Sequence, residues 1–316
     1  MAEAEYLTVE QALAAVLAGV SVLPAERVPL LEALGRVLAE PVVARDNLPP
    51  FANSSMDGYA VRAADVAQAT SQGPARLQVL ADIAAGVAPN VTLTKGTAAR
   101  IMTGAPLPAG ADAVVPVEDT DEPWRDPQRR LPPFIEIRKA VGAGAYVRPA
   151  GEDIQAGDEV IGAGIVIRPQ EIGVLAALGY SQAAVIRRPR VGILATGDEL
   201  VDVDEPLQPG KIRNSNGYTQ AAQVLAAGAI PVPLGVARDS EADVRTHLQT
   251  GLAVGVDLFV SSAGVSVGAY DVVKAVLEQD GQVGFWRVRM RPGKPLAFGR
   301  YGGVPYLGLP GNPVSA

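Results

Sequence analysis

The stretch that decides the fold is residues 256–268, which read VDLFVSSAGVSVG. Its first half, Val256–Val260, is an apolar run typical of a buried strand, and its second half is a loop of small residues. A strand that ends in small residues before a helix leaves free backbone N–H groups, and such groups bind anions. The stretch therefore predicts a βα unit with an anion-binding loop.

Two further segments toward the C-terminus have the same chemistry. Arg287, Arg291 and Lys294 form a cationic stretch, and guanidinium and ammonium groups are strong partners for oxyanions. A second strand, 306–309, then runs into a tight loop over 310–315. Together these segments predict a pocket for phosphate or a similar oxyanion. The alternative for the cations is a basic strand exposed to solvent.

Strands and helices alternate throughout the C-terminal half of the chain. The predicted strands are 191–195, 230–236, 256–261 and 284–289. The predicted helices are 217–227, 240–253 and 269–279. Repeated βα units predict a parallel, doubly wound sheet that binds its ligands at the carboxyl ends of the strands.

The N-terminal half has a different texture. Thr8 and Gln11 fit a capping box at the start of a helix, and a second helix is predicted over 30–38. Glycines and prolines then separate short β-like runs, which predicts a β-rich insertion over 46–139. A further helix is predicted over 170–178.

Composition limits the possible functions. The chain has 316 residues, which suggests two or three domains, and 48% of them are hydrophobic, enough for sizeable cores. A net charge of −7 argues against nucleic-acid and anionic-membrane partners. The absence of cysteine excludes thiolate catalysis, and the single histidine, His247, argues against histidine triads. The N-terminus lacks a signal-peptide pattern and there is no long apolar run, so we expect a cytoplasmic enzyme with no membrane span.

Two turns in the β-rich region carry polar side chains. Asp57 precedes Gly58, where its carboxylate can bind a metal or orient water; the spacing alone favours an ordinary Asp-Gly turn. Thr103 precedes Gly104, where the hydroxyl and the next N–H can hold an anion. The spacing there again favours a simple turn.

Three polar segments lie where loops of a doubly wound sheet face the ligand. Asp198 and Glu199 suit Mg²⁺, which takes one or two carboxylates plus ligand phosphates, or they belong to an acidic helix N-terminus. Segment 211–217 can hydrogen-bond a heterocycle edge, or it lies in solvent with Asn216 as a helix cap. Asp239 is either a ligand-site carboxylate or a turn former.

Six motifs in one order along the chain resemble the MoeA-type molybdopterin molybdotransferases, a family that includes the E domain of gephyrin. The motifs are residues 48–51 with 56–61, 100–119, 148–154, 196–200, 264–268 and 309–316. Each motif alone is ambiguous, but the ordered set is specific to this family.

The resemblance implies an elongated α/β protein with three domains. It implies a doubly wound, MogA-like domain over 179–316, a β-rich domain over 46–139, and a small α/β linker domain from 1–45 and 140–178. It implies a homodimer whose active site lies between the doubly wound domain of one subunit and the β-rich domain of the other. It also implies that this chain lacks the family's C-terminal β-domain and stops inside the last motif.

The resemblance further implies insertion of molybdate into adenylylated molybdopterin, with release of AMP and with Mg²⁺ present. The implied catalytic residues are Asp57, Thr103, Glu199, Asp239 and Asp271, of which Glu199, Asp239 and Asp271 hold the metal. The implied cofactor-binding residues are Asp153, Thr196, Gly197, Ser215, Asn216, Ser262, Gly264, Val265, Ser266, Gly268, Arg287, Arg291, Lys294, Pro310, Gly311, Asn312 and Ser315. The implied protein partners are a molybdopterin adenylyltransferase and recipient molybdoenzymes.

Two other functions stay open at this point: a molybdopterin-binding scaffold without turnover, and a molybdopterin adenylyltransferase. The acidic residues of the implied catalytic set favour catalysis over a scaffold. The β-rich insertion argues against an adenylyltransferase. The chain departs from the family at Ala263, where glycine is frequent, and at Arg287 and Arg291, where lysine is common.

Overall fold

The computed structural model describes residues 6–122, 130–262 and 272–316. Within these ranges the α-helices are Val9–Ala18 (α1), Ala63–Val66 (α2), Pro169–Ala177 (α3), Ser215–Ala226 (α4), Glu241–Ala253 (α5) and Val272–Asp280 (α6). Two 3-10 helices cover Leu30–Ala33 and Val117–Asp119. No helix of the described ranges is long and apolar enough to cross a membrane.

The strands of the described ranges are Ala25–Pro29 (β1), Val42–Val43 (β2), Asn53–Ser54 (β3), Gly58–Val61 (β4), Ala75–Ile83 (β5), Thr97–Ile101 (β6), Ala113–Pro116 (β7), Phe134–Ile137 (β8), Val147–Arg148 (β9), Glu159–Ile161 (β10), Gln182–Ile186 (β11), Arg190–Thr196 (β12), Leu200–Val201 (β13), Ile212–Arg213 (β14), Ile230–Ala237 (β15), Leu258–Ser262 (β16), Gly281–Arg287 (β17), Pro295–Tyr301 (β18) and Val304–Leu309 (β19). The chain divides into two compact units. The split unit is Met1–Ala39 with Gln182–Ala316, and the continuous unit is Glu40–Ser181.

The split unit is built on a six-stranded sheet in the order β15-β12-β16-β19-β18-β17. The first four of these strands are parallel, and β18 is antiparallel to both β19 and β17. Because side chains alternate across a strand, Val191 and Ile193 pack on the α4 side while Leu194 packs on the α5 and α6 side. The predicted doubly wound sheet is therefore confirmed.

The order of the sheet creates a crevice. Strand β12 comes first of the parallel strands in the sequence, yet β15 pairs with one of its edges and β16 with the other. The strand order thus reverses at β12. Ligands of such sheets bind beside the carboxyl ends of the strands at that position.

The basic end of the sheet was not fully predicted. The strand expected at 284–289 begins earlier, at Gly281, and forms an antiparallel hairpin with β18, which the sequence analysis missed. Segment Pro295–Tyr301 gives a weak strand signal, because it begins with a proline and contains a glycine.

The N-terminal part of the split unit confirms one helix and corrects another. Helix α1 starts with the predicted capping box, because the Thr8 hydroxyl accepts from the Gln11 N–H and the Gln11 side chain accepts from the Thr8 N–H. The helix predicted over 30–38 is wrong: a 3-10 helix ends at Ala33 and Gly35 follows with φ +73°. That left-handed conformation ends the turn, and Leu38 then pairs with Val185.

The continuous unit contains a five-stranded sheet in the order β7-β4-β6-β5-β8. Tyr59 and Val61 pack in one core and Ala60 in a second core, so both faces of β4 are buried. The same unit holds the ribbons β2-β10 and β3-β9, together with α3. This confirms the β-rich region, while the three-part division of the chain stays a prediction.

Candidate functional site

The carboxyl edge of the six-stranded sheet gathers most of the predicted site residues. The parallel strands end there at Thr196, Ala237, Ser262 and Leu309. Strand β17 runs parallel to β19, because both are antiparallel to β18, so Arg287 reaches the same edge. The segments that follow these strands are those that the sequence analysis selected.

A small cavity of about 70 Å³ lies at this edge. Six predicted residues line it: Thr196, Glu199, Ser215, Asn216, Ser262 and Gly311. They come from four separate segments of the chain, namely the ends of β12 and β16, the start of α4, and the loop after β19. The Asn216 amide donates to the carbonyl oxygen of Gly311 over 2.8 Å, which fixes α4 against that loop.

The turn after β12 brings the Glu199 carboxylate back over Gly197. Gly197 has φ +143°, and a Cβ at this position would overlap the carboxylate. The conformation therefore requires glycine, while a Cβ would only displace the end of the Glu199 side chain. The Gly197 N–H donates to Ala237 over 3.1 Å, so the turn also rests on the end of β15.

A larger cavity of about 720 Å³ lies beside the small one, and Leu200 lines both. Its walls carry Asp198 and Asp239, whose loops are joined reciprocally: each carboxylate accepts the other residue's backbone N–H over 3.3 Å. The Lys211 ammonium donates to the Asp198 carbonyl oxygen. These bonds hold the loops after β12 and β15 together.

The predicted metal ligands are distributed over this edge. Glu199 lines the small cavity and Asp239 the larger one. Among the described residues, no group of three or more aspartate, glutamate or histidine side chains is gathered closely enough to hold a metal. The donor set still fits Mg²⁺, because this ion binds to one or two carboxylates and completes its shell with water and substrate phosphates.

The basic segment forms the turn between β17 and β18. Arg287, Arg291 and Lys294 are all exposed there, and the Lys294 ammonium lies 6.0 Å from the centre of the Tyr6 ring. Leu7 pairs with this segment, since its N–H donates to Arg287 over 2.9 Å and its carbonyl accepts from Arg289 over 2.8 Å. The N-terminal residues thus shape the cationic turn.

The loop after β19 approaches the same turn. A Cβ built on Gly293 would lie 3.9 Å from the Cβ of Ser315. The Asn312 side chain accepts from the Val314 N–H over 3.0 Å, and the Asn312 carbonyl accepts from the Ser315 N–H over 2.8 Å. The Ser315 hydroxyl and the cations of this turn therefore lie at one corner of the sheet's carboxyl edge. Pro310 and Gly311 precede Ser315 in the same loop.

The continuous unit holds a second pair of predicted residues. Asp57 lies just before β4 and Thr103 just after β6, and both the N–H and the hydroxyl of Thr103 donate to Oδ1 of Asp57, over 2.7 and 2.8 Å. Asp153 lies elsewhere in this unit, in the loop between β9 and β10, with an exposed side chain. Its N–H donates to the Leu48 carbonyl over 3.0 Å.

Some predictions lie outside the described residues, and some site residues were missed. Gly264, Val265, Ser266, Gly268 and Asp271 are outside the described ranges. The larger cavity adds Arg238 and Glu205, which were absent from the predicted set, and Lys211 of the predicted polar segment 211–217. The position of Arg238 directly after β15 was a usable signal, whereas nothing in the sequence pointed to Glu205.

Comparisons with known proteins agree with this architecture. Residues 7–179 match the family model described as MoeA N-terminal region (domain I and II), and residues 192–316 match the model described as probable molybdopterin binding domain. The molybdopterin molybdenumtransferase 2 of Mycobacterium tuberculosis is 45% identical over 92% of this chain and 71% of its own length. The molybdopterin molybdenumtransferase of Nostoc is 42% identical over 92% of this chain and 65% of its own length.

A solved structure shows the same fold. The molybdopterin biosynthesis MoeA protein from Pyrococcus horikoshii superposes with a TM-score of 0.84 at 34% identity. The match covers 98% of this chain and 76% of that one. This chain thus spans about two thirds to three quarters of the length of these relatives.

Proposed function

Since the chain belongs to the MoeA family of molybdopterin molybdenumtransferases, we propose that it inserts molybdate into adenylylated molybdopterin and releases AMP. Its relatives are named molybdopterin molybdenumtransferases. The adenylylated substrate, the release of AMP and the use of Mg²⁺ are the finer parts of the proposal. The reaction would require a phosphoanhydride to be bound, oriented and broken beside a bound oxyanion.

The single observation that carries the proposal is the convergence of six predicted residues on one cavity. Thr196, Ser215 and Ser262 supply hydroxyl groups, Asn216 an amide, and the start of α4 supplies backbone N–H groups. Such donors suit a phosphate group placed at a helix N-terminus. Glu199 on the same wall is the acidic group closest to that phosphate position in our proposal.

Breaking the anhydride requires a water oxygen to add to one phosphorus atom while AMP leaves. Glu199 and Asp239 are the residues that would hold Mg²⁺, together with Asp271, which lies outside the described ranges. When bound, the ion would supply positive charge beside the phosphate oxygens. The reciprocal bonds between Asp198 and Asp239 would keep the Asp239 carboxylate oriented.

Molybdate is a tetrahedral dianion, so it calls for cationic and hydroxyl donors. Arg287, Arg291 and Lys294 supply the cations, and Ser315 lies beside Gly293 of the same turn. Charge-assisted hydrogen bonds of this kind are stronger than those between neutral groups. We propose this corner of the sheet edge as the molybdate site.

The Asp57–Thr103 pair is the remaining element of the proposal. One carboxylate oxygen of Asp57 is held by two donors, and the other has no partner among the described residues. We propose that this free oxygen accepts a proton during turnover. Homodimer formation, as implied by the family resemblance, is part of the same proposal.

The test is a reconstitution of the reaction. The protein is mixed with adenylylated molybdopterin, Mg²⁺ and molybdate, and both AMP release and activation of a cofactor-free molybdoenzyme are followed. We expect AMP release to depend on molybdate and to be accompanied by activation. Tight binding without AMP release would indicate a scaffold instead, and no binding at all would contradict the proposed function.

A further inference from the structure

A third cavity, of about 240 Å³, lies next to the two that hold the predicted residues. It is enclosed by β12, β15 and the first turns of α4. Its apolar walls include Ile193, Ala221 and Val236, and its polar groups are Asp202, Asn214 and Tyr218. None of these residues has a role in the proposed reaction so far.

This cavity is adjacent to the other two cavities of the site. Asn214 lines both this cavity and the small one, and Val236 lines both this cavity and the large one. A ligand whose phosphates occupy the polar cavities would therefore have the apolar cavity beside it. The cavity is smaller than the 300–1,000 Å³ or so of pockets for drug-sized ligands. It suits one ring system rather than a whole nucleotide.

The polar groups of the cavity retain unused hydrogen-bonding capacity. Oδ1 of Asp202 accepts from the Tyr218 hydroxyl over 3.0 Å and from the Val203 N–H over 2.7 Å. Oδ2 of Asp202 has no partner among the described residues. Oδ1 of Asn214 accepts from the Gly217 N–H over 3.0 Å, and its Nδ2 has no partner within the same ranges.

An unused acceptor and an unused donor at the rim of an apolar cavity match a specific ligand edge. A planar heterocycle with an exocyclic amino group next to a ring nitrogen offers a donor and an acceptor side by side. The amino group would donate to Asp202 and the ring nitrogen would accept from Asn214. The Tyr218 ring supplies an aromatic surface, and such surfaces stack on heterocycles.

We propose that this cavity binds the amino-substituted planar heterocycle of the substrate, with its ring against Tyr218 and its edge on Asp202 and Asn214. The inference rests on the proposed function and adds the residues that recognise the ring. Adenylylated molybdopterin carries two heterocycles of this chemistry, adenine and pterin. The experiment below distinguishes them.

The test is calorimetric titration of the wild-type protein and variants with AMP, with pterin-6-carboxylate, and with ribose 5-phosphate, which has no heterocycle. Tyr218→Ala removes the aromatic surface and is expected to weaken binding of the recognised ring compound about tenfold. Tyr218→Phe keeps the ring and should retain most of the affinity. Neither Tyr218 variant should change the affinity for ribose 5-phosphate.

Asn214→Asp tests the proposed hydrogen bond to the ring nitrogen without removing the helix cap, because aspartate caps helices as well as asparagine does. It replaces the Nδ2 donor by an acceptor, so binding of the same ring compound should weaken about tenfold. Thr219→Ala, at the neighbouring exposed position of α4, is the matched control and should bind like the wild type. Tyr218 is 52% exposed, so its replacement should leave the thermal unfolding midpoint nearly unchanged.

A loss of affinity confined to AMP would show that the cavity binds adenine. A loss of affinity confined to pterin-6-carboxylate would show that it binds pterin. Equal affinities of wild type and Tyr218→Ala for both compounds would overturn the inference, as would a wild type that binds neither. Molybdate-dependent AMP release by the wild type is scored separately. The proposed function can therefore stand even if this inference fails.

Discussion

Asp57 and Thr103 illustrate what single residues contribute to the proposed chemistry. Nothing in the spacing of Asp57 distinguishes it from an ordinary Asp-Gly turn. In the structure, Thr103 directs two donors at one oxygen of the Asp57 carboxylate, from a turn 46 positions further along the chain. Long-range pairings of this kind leave no local signal in a sequence. Only the ordered set of motifs made Asp57 a candidate.

Asp57→Asn is the sharpest residue-scale variant. Asparagine keeps an oxygen that can accept from Thr103, but it cannot take up a proton. We expect the rate of molybdate-dependent AMP release to fall about 100-fold, with little change in the thermal unfolding midpoint. Asp46→Asn, at an exposed acidic position of the same unit, is the control. Wild-type rates for Asp57→Asn would remove this residue from the mechanism.

At the scale of elements, α3 owes its start to an ion pair. The Arg168 guanidinium holds the pKa of the Glu171 carboxyl down, from an ordinary 4.5 to about 2, through hydrogen bonds over 2.6 and 3.1 Å. Glu171 also accepts from the Arg168 N–H at the first turn of the helix. Glu171 thus forms an ion pair with Arg168 and also takes part in capping the start of the helix.

This depressed pKa predicts a defined acid response. Between about 2 and 4.5 the folded carboxylate stays charged while the unfolded one binds a proton, so its contribution to stability is full above 4.5 and is lost as the pH falls toward 2. Glu171→Gln should therefore lose less stability over this range than the wild type, with proton uptake on unfolding lower by about one. Urea unfolding at several pH values measures this. The same pH dependence of the unfolding free energy in both proteins would contradict this prediction.

Strand β6 carries a buried cation that fixes its neighbours. Arg100 is 4% exposed, and its guanidinium donates to Asp82 over 3.1 Å and to Glu122 over 3.0 Å. Hydrogen bonds to Asp82, and then to Glu122, raise the pKa of Arg100 although burial opposes this. The group therefore stays charged inside the continuous unit.

Arg100→Met should destabilise the protein by about 3 kcal/mol, because it removes the buried guanidinium that pairs with the nearly buried carboxylate of Glu122. Urea unfolding measures the loss. Arg138→Met, at an exposed position of the same unit, is the control and should cost little. Adding Glu122→Gln to Arg100→Met should recover part of the lost stability, and no recovery would show that the charge is not the cause.

The helices and strands also show which parts of the fold can be predicted from sequence patterns. Helices α4 and α5 and strands β12, β15 and β16 were predicted within a few residues, because their apolar periodicity and their caps agree. The helix expected at 30–38 failed because an apolar spacing that fits a helix was interrupted by Gly35. Strand β18 was missed because its stability comes from pairing on both edges, which a sequence does not display.

At the scale of the whole molecule, the continuous unit has the features of an independent domain. Its cores around Tyr59 and Ile101 are formed entirely by its own residues. In the split unit, the Ala39 N–H donates to Ala184 over 2.9 Å, so the two ends that flank Glu40–Ser181 lie side by side. The sheet of the split unit thus does not depend on the inserted residues for its connectivity.

We therefore predict that residues 40–181 fold alone. Expressed as a separate chain, they should give a single cooperative transition in urea and dispersed amide signals in NMR spectra. The Arg100→Met substitution should destabilise the isolated unit by about as much as it destabilises the whole chain. A non-cooperative transition would show that the unit needs the remainder of the protein.

The pairing of Leu7 with Val288 also bears on how the polypeptide matures during translation. The backbone groups of Leu7 are satisfied only after residues 287–289 have been synthesised. At roughly 5–20 residues per second, that delay is on the order of tens of seconds. The continuous unit is complete long before then. The segment around Leu7 must therefore remain unpaired while the continuous unit, which follows it in the chain, can already fold.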